Sequence, residues 1–268
     1  MITETERTRL FQSFRTQDER TEFAKILDNA VRCHKQHVQR FSGFFDPCKA
    51  RKFAHAVLSV KNLNVCCAAF GGYDHCERQI IGVSPKTQPL EQTDFPIAVI
   101  QAAYNSKFSR TLTHRDFLGS LMGLGIERHY IGDIALSDSA ALIVVHGKMA
   151  GYIFANLEKA GRTTIKTTLL STDKVAFPAS KKEARRLSVA SLRLDGVIAA
   201  AMCLSRKAAA NLIAAEKVFI NWVPCTQAAK EVSAGDFVTV RQYGRMEIGA
   251  ITGNTKKGRI VLEVFVSV

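Results

Sequence analysis

The spacing of apolar residues along this chain changes character twice. Phe23, Ile26, Leu27, Ala30 and Val31 recur at helical intervals, with Arg20, Lys25, Arg32 and Lys35 largely outside the stripe, so the chain begins with an amphipathic helix. Asp46 and Pro47 then supply a cap and a first-turn proline for another helix, with Phe53, Ala54, Val57 and Leu58 on its apolar face. Val65–Phe70 reads as a buried strand stopped by Gly71 and Gly72, and residues 1 to about 70 are otherwise expected to be helical. From about 76 to 172, strands alternate with helices. Strands are expected at 79–83, 97–104, 142–145 and 163–170, and helices from Thr113 or Asp116 to a stop at Gly125, and over 152–159 before Gly161. This alternation predicts helices on one face of a mostly antiparallel sheet, in the manner of a plait with an added strand. The aromatic run that stacks bases on such sheets is missing.

The last third returns to helical spacing. Leu194, Val197, Ile198 and Ala201 form one stripe, and Ser205 is placed to cap a second short helix turning Ala209, Leu212 and Ile213 inward. Val218 and Ile220 alternate as in a strand, Gly235 and Asp236 mark a turn, and 237–241 alternate again. A helix pair packed on a small sheet is expected.

Composition narrows the class. The chain has 268 residues, 47% of them hydrophobic and 23% charged, enough for a sizeable core in two or three domains. No run approaches 18 apolar residues and the first residues are charged, so a cytoplasmic protein without membrane insertion is expected. Seven cysteines without a C-x-x-C pair fit reduced thiols; His75 and Cys76 near Cys66 and Cys67 come closest to a metal cluster, but no metal or cofactor is expected. The net charge is +13, and residues 181–268 hold fourteen Lys and Arg against seven Asp and Glu.

That basic excess gains meaning at one place. Arg206 and Lys207 open the second short helix, where the helix dipole favours acids, so an anion is expected to dock there. The expected RNA-contact face is Arg193, Ser205, Arg206, Lys207, Asn211, Lys217, Asn221, Arg241 and Arg245. Lys181, Lys182, Arg185 and Arg186 form a second basic run for phosphate contact, which as a bare charge run would be a solvated helix face. Asp195 is expected to form a structural pair within the module. His114 and Asp116 invite a catalytic reading, but with no nucleophile or metal partner nearby a local helix cap is the better one, and no catalytic residue is assigned.

The order of parts, with RLD opening one helix, SR the next, a V-x-I-N strand and a later GD, resembles the S-four RNA-binding domain over roughly residues 183–245. Together with FFDP at 44–47, FGGYDHCER at 70–78 and HRDFLGSLMGLGIERHYIGDI at 114–134, the chain resembles the YlmH family of bacterial proteins along essentially its entire length. The resemblance implies an α+β protein of three domains: a mainly helical one at 1–75, a central plait-like one at 76–172, a linker at 173–182, and an S-four domain with C-terminal strands at 183–268. It implies a non-catalytic protein that binds ribosomal RNA and tRNA on the large ribosomal subunit, with roles in rescue of stalled subunits or linked to cell division. Two alternatives remain at this point. Arg193-Leu194-Asp195 echoes the catalytic setting of pseudouridine synthases, to which S-four modules are often fused; Phe41, Phe44 and Phe45 could instead anchor a protein scaffold.

Overall fold

A computed structural model of the chain describes residues 3–14, 16–73, 76–105, 111–170, 175, 177, 182–221, 223–255 and 258–267. The chain divides into two compact units, 1–178 and 179–268. Most of the expected linker 173–182, together with Lys181 and His75, lies outside the described residues.

The first unit opens with α1 (Glu4–Gln12), α2 (Gln17–Gln36), β1 (Arg40–Phe45), α3 (Pro47–Leu58), β2 (Val65–Phe70) and β3 (Gln79–Pro85). Thr16 Oγ1 accepts from Glu19 N at 3.1 Å, and Asp46 Oδ1 accepts from Lys49 N at 2.9 Å; both satisfy amides that a helix start leaves without partners. Phe14, Phe23 and Phe53 are fully buried where these helices meet the sheet. Two expectations need correction. Residues 40–45 form a strand, because Ser42 and Phe44 point inward while aromatic neighbours occupy the other side too, which masks the two-residue period. The strand expected at 79–83 to open the central part runs over 79–85 and pairs antiparallel between β1 and β2, in the order β1-β3-β2. Nearly every β3 residue is buried, so its pattern does not show which sheet it joins.

The central part continues with β4 (Ile97–Ala103), α4 (His114–Gly123), β5 (Ile131–Leu136), β6 (Ala140–His146), α5 (Gly147–Asn156), a β7 (Lys159–Ala160) and β8 (Thr163–Thr164) hairpin, and β9 (Lys166–Leu170). Its antiparallel sheet has the order β5-β6-β4-β9, the plait arrangement. The second helix starts five residues earlier than expected, because the poor helix formers Gly147 and Gly151 hide its first turn from propensity. His146 caps it, Nδ1 accepting from Lys148 N at 3.2 Å. Phe117, Leu121 and Ile153 of the helices pack on Ile100, Ile143 and Val145.

The other face of the plait sheet is partly closed. Val144 is buried against Phe44, Ile80 and Phe95, with Ile97 alongside, so the N-terminal sheet occupies ground where a plait would otherwise stack bases. Close approach depends on Gly132, where a Cβ would lie 3.0 Å from the Phe44 ring. Polar bonds bolt the same junction. Arg78 donates from Nε to Ile131 O at 3.0 Å and from Nη2 to Phe44 O at 2.7 Å, tying both layers through carbonyl groups. Asp133 Oδ2 accepts from Tyr73 Oη and from Glu77 N, each at 2.6 Å. Burial pushes the Asp133 carboxyl up and, with the charge of Arg128, brings Arg78 down to about 10.

The second unit holds β10 (Lys182–Val189), α6 (Leu194–Ala201), α7 (Arg206–Ala214), β11 (Val218–Ile220), β12 (Val223–Pro224), β13 (Phe237–Val240), β14 (Gly244–Asn254) and β15 (Ile260–Ser267). Its six strands run antiparallel in the order β10-β15-β14-β13-β11-β12. Leu194, Val197, Ile198, Ala209 and Ile213 pack on the inward residues of that sheet, among them Leu187, Val218, Val238, Met246 and Val264. Among the described residues no single helix is long and apolar enough to cross a membrane; α6 and α7 pass such a test only together, and they are bent by 118°.

Replacing Arg78 with alanine takes a donor from the carbonyls of Phe44 and Ile131, of which Ile131 keeps Arg128, and should lower the stability of the first unit by about 1–3 kcal/mol. A urea titration reading that unit's transition should show the loss; an unshifted midpoint would contradict the bolt. His146 gives a pH signature. Burial, then Lys148 and His129, hold it down at about 4, below the ordinary histidine range. Protons therefore favour the unfolded chain as pH falls through about 6.5, and the stability conferred by the neutral cap is lost progressively toward pH about 4. The first unit should lose about 1–2 kcal/mol between pH about 7 and about 5, and His146→Gln should flatten that slope in thermal melts.

Candidate nucleic-acid interface

The helix pair of the second unit is organised by one carboxylate. Asp195 lies in the first turn of α6 and is only 6% exposed. Its Oδ2 accepts from Arg206 Nη2 at 2.7 Å, and its Oδ1 accepts from Arg193 Nε at 3.3 Å and Gly196 N at 2.9 Å. Burial pushes this carboxyl up, but the bonds from Arg193 and Arg206 outweigh it and hold Asp195 below the usual carboxylate range. The structural pair expected for Asp195 is present, its partner is Arg193 of the expected contact face, and it extends to Arg206. The placement of Arg206 at a helix start thus has a source inside the chain: the anion at its guanidinium is Asp195. Its side chain is still 60% exposed and remains open to a second anion.

The rest of the expected contact face divides. Ser205 caps α7, its Oγ accepting from Ala208 N at 3.1 Å, which leaves the hydroxyl proton for donation outward. Lys207 and Asn211 stand one turn apart on the exposed side of α7, beside Ser205 and Arg206. Cys203, at φ +54°, makes the tight turn between the helices. Lys217 is half-buried beyond the end of α7, its carbonyl accepting from Arg241 N at 2.9 Å.

Three residues of that face, and the described part of the basic run, are placed otherwise. Asn221 Nδ2 donates to Asp236 Oδ1 at 2.8 Å and its Oδ1 accepts from Phe237 N at 2.9 Å, so its amide fastens a turn at φ +50°. Arg241 lies over the Phe219 ring at 4.9 Å, and Arg245 donates to Thr239 Oγ1 at 3.0 Å. Phe219, Thr239 and Arg245 lie in register on the sheet face away from the helices, because Val218, Val238, Val240 and Met246 point inward. Arg185 belongs to strand β10 rather than to a solvated helix, and its Nη1 donates to Ala201 O at 3.2 Å, closing the C-terminal end of α6. Arg186 is exposed on the opposite face, in register with Glu263. Lys182 starts the same strand.

The segments that suggested other chemistry are absorbed into structure. Asp116 Oδ2 accepts from Thr113 N at 2.9 Å and Thr113 Oγ1 at 2.7 Å, a capping box on α4. Phe44 is buried, and Phe41 and Phe45 pack edge-on against Phe95 and Phe53. No group of three or more His, Cys, Asp or Glu among the described residues could hold a metal ion. On the helical layer of the first unit Arg115, conspicuous in sequence only as the middle of His114-Arg115-Asp116, and Lys148, which did not stand out, are exposed cations. Their helical spacing to Met122 and Tyr152 is the signal that could have found them.

Comparison with known proteins places this geometry. A family model described as "Putative RNA-binding domain in YlmH" matches residues 90–174, and one described as "S4 domain" matches residues 192–238. The chain is 30% identical over 250 residues to "Ribosome-associated protein quality control protein P2" of Bacillus subtilis (strain 168), covering 93% of this chain and 95% of the relative. The solved structure "Cell division protein ylmH from Streptococcus pneumoniae" is similar at 22% identity with a TM-score of 0.49, covering 61% of this chain and 98% of that one. A relative matched at this identity over nearly its full length, together with both domain models, shows that the chain belongs to the YlmH family of S-four-domain proteins.

Proposed function

We propose that this chain is a non-catalytic RNA-binding protein of the cytoplasm that acts on the large ribosomal subunit, where residues 183–268 grip ribosomal RNA or tRNA. The observation that carries the reading is the Arg193–Asp195–Arg206 clamp. It fixes the starts of α6 and α7 together and presents Ser205, Arg206, Lys207 and Asn211 on one exposed corner. Such a corner offers cations and hydroxyl or amide donors to phosphates and 2′-hydroxyls, the groups through which A-form RNA is read. The name of the Bacillus subtilis relative associates that protein with the ribosome, and this supports the setting proposed here. The pseudouridine-synthase alternative loses its main support, since the Asp195 carboxylate is buried and engaged by two arginines rather than presented to a base.

Replacing Arg206 and Lys207 together with alanine should weaken ribosome or RNA retention at least tenfold and lower the slope of log affinity against log salt by about one to two. Retention that survives a salt titration unchanged would sink the reading. Asn221→Ala should behave differently. It removes two turn bonds and should cost about 1–3 kcal/mol in stability, while at a temperature where the variant is folded the salt slope stays as in the parent. A lowered slope would return Asn221 to the contact face.

A further inference from the structure

We propose that the central plait carries a second RNA-contacting surface, the solvent face of α4 and α5 with the β7–β8 hairpin, which takes the phosphate backbone of a structured RNA. The proposal rests on the reading that the chain binds RNA, but uses residues remote in sequence from the α6–α7 corner.

The plait's sheet is a poor candidate, because Phe44, Ile80 and Phe95 pack over Val144 on that side. The helical layer is open. Arg115 and Met122 line the outward side of α4, and Lys148 and Tyr152 that of α5, with Met122 52% and Tyr152 48% exposed. Tyr152 Oη donates to Leu124 O at 3.4 Å, which brings the α5 stripe beside the end of α4. Gly161 N donates to Ser120 Oγ at 3.1 Å, which sets the hairpin turn carrying Arg162 against α4. Two helices and a hairpin therefore present one neighbourhood rather than scattered cations.

Its charge selects the partner. Arg115, Lys148, Lys159 and Arg162 are exposed, and among the described residues none of them forms an ion pair with an acid. Nearby acids are engaged or peripheral: Asp116 closes its capping box, Glu127 faces His129 at 3.3 Å, and Glu158 flanks the hairpin. Four cations around two large apolar side chains suit a polyanion better than a protein partner, whose contact would be depleted of charge at its centre. Gly119 and Gly151 add open ground, with nothing within 4 Å of where a Cβ would stand, so a sugar-phosphate chain can approach the helix backbone. Tyr152 supplies a ring and a hydroxyl for a 2′-hydroxyl or an unpaired base.

The test uses the full chain and an RNA hairpin with a stem of about 16 base pairs, the length of A-form helix that a shape-reading domain spans. Substituting Arg115, Lys148, Lys159 and Arg162 together with glutamine should lower the salt slope by about three and weaken binding at least tenfold. Unchanged slope and affinity overturn the proposal, including the case in which this face serves a protein. The Arg206/Lys207 alanine variant runs in parallel. Loss there alone leaves the α6–α7 reading standing and removes this one, loss in the glutamine variant alone does the reverse, and loss in neither removes both. Should the glutamine variant fail to fold, ultraviolet crosslinking of the unaltered protein decides. Adducts within 114–123 or 147–164 support the surface, and adducts confined to the second unit overturn it.

Discussion

A carboxylate withdrawn from water needs charge and hydrogen bonds in its place, and the second unit is arranged around that requirement at Asp195. Two guanidinium groups and a backbone amide meet it, from the residue before α6, the first turn of α6 and the first turn of α7. The partners are half to largely exposed, so the pair is neither a buried ion pair with its full desolvation cost nor a screened surface contact. Its consequence is geometric. With both helix starts tied to one group, the tight turn at Cys203 and the cap at Ser205 have a single arrangement, and the exposed corner is preorganised before any RNA arrives.

The first unit solves a related problem with different chemistry. Two sheets meet there, and the apolar part of the contact, Phe44 against Gly132 and Val144, fixes how closely they approach. Carbonyl groups near that contact need donors. Arg78 provides them to both layers, and Arg128 points its own guanidinium at the carbonyl of Ile131. Tyr73, Glu77 and Arg78 of one conspicuous segment, and Arg128 and Asp133 of another, serve this closure. With this closure, part of the plait's sheet face, around Val144, is no longer open to a ligand.

Elements with a clean period were legible from sequence. The α6 and α7 stripes, the Ser205 and Asp46 caps and the alternation of β13 follow from local rules of spacing and capping. Where both faces are buried or aromatic, as in β1 and β3, period carries no information about partners, and the pattern of β3 does not point to its place between β1 and β2. The candidate site shows the same division. Ser205, Lys207 and Asn211 stand where helix geometry puts them. Asn221 and Arg245 of the expected face, and Arg185 of the basic run, take structural partners, Asp236, Thr239 and Ala201, from a turn, a neighbouring strand and a helix end that only the fold brings within reach.

Counting charge also overstates the footprint, for a reason specific to arginine. The chain has 37 Lys and Arg, yet Arg78, Arg128 and Arg185 spend planar donors on backbone carbonyls, and Arg193 and Arg206 bind Asp195. A guanidinium is weakly hydrated and holds several donors in a fixed fork, so it is readily drawn into such structural duties. A lysine ammonium is a strongly hydrated point charge and stays in water when no acid is close. Lys207 on α7 and Lys148 on α5 are of this kind, both exposed and with no ion-pair partner among the described residues. Counterions condensed on RNA are released only by cations still free to neutralise phosphate, so the total of +13 is an upper bound on the charge available to a polyanion.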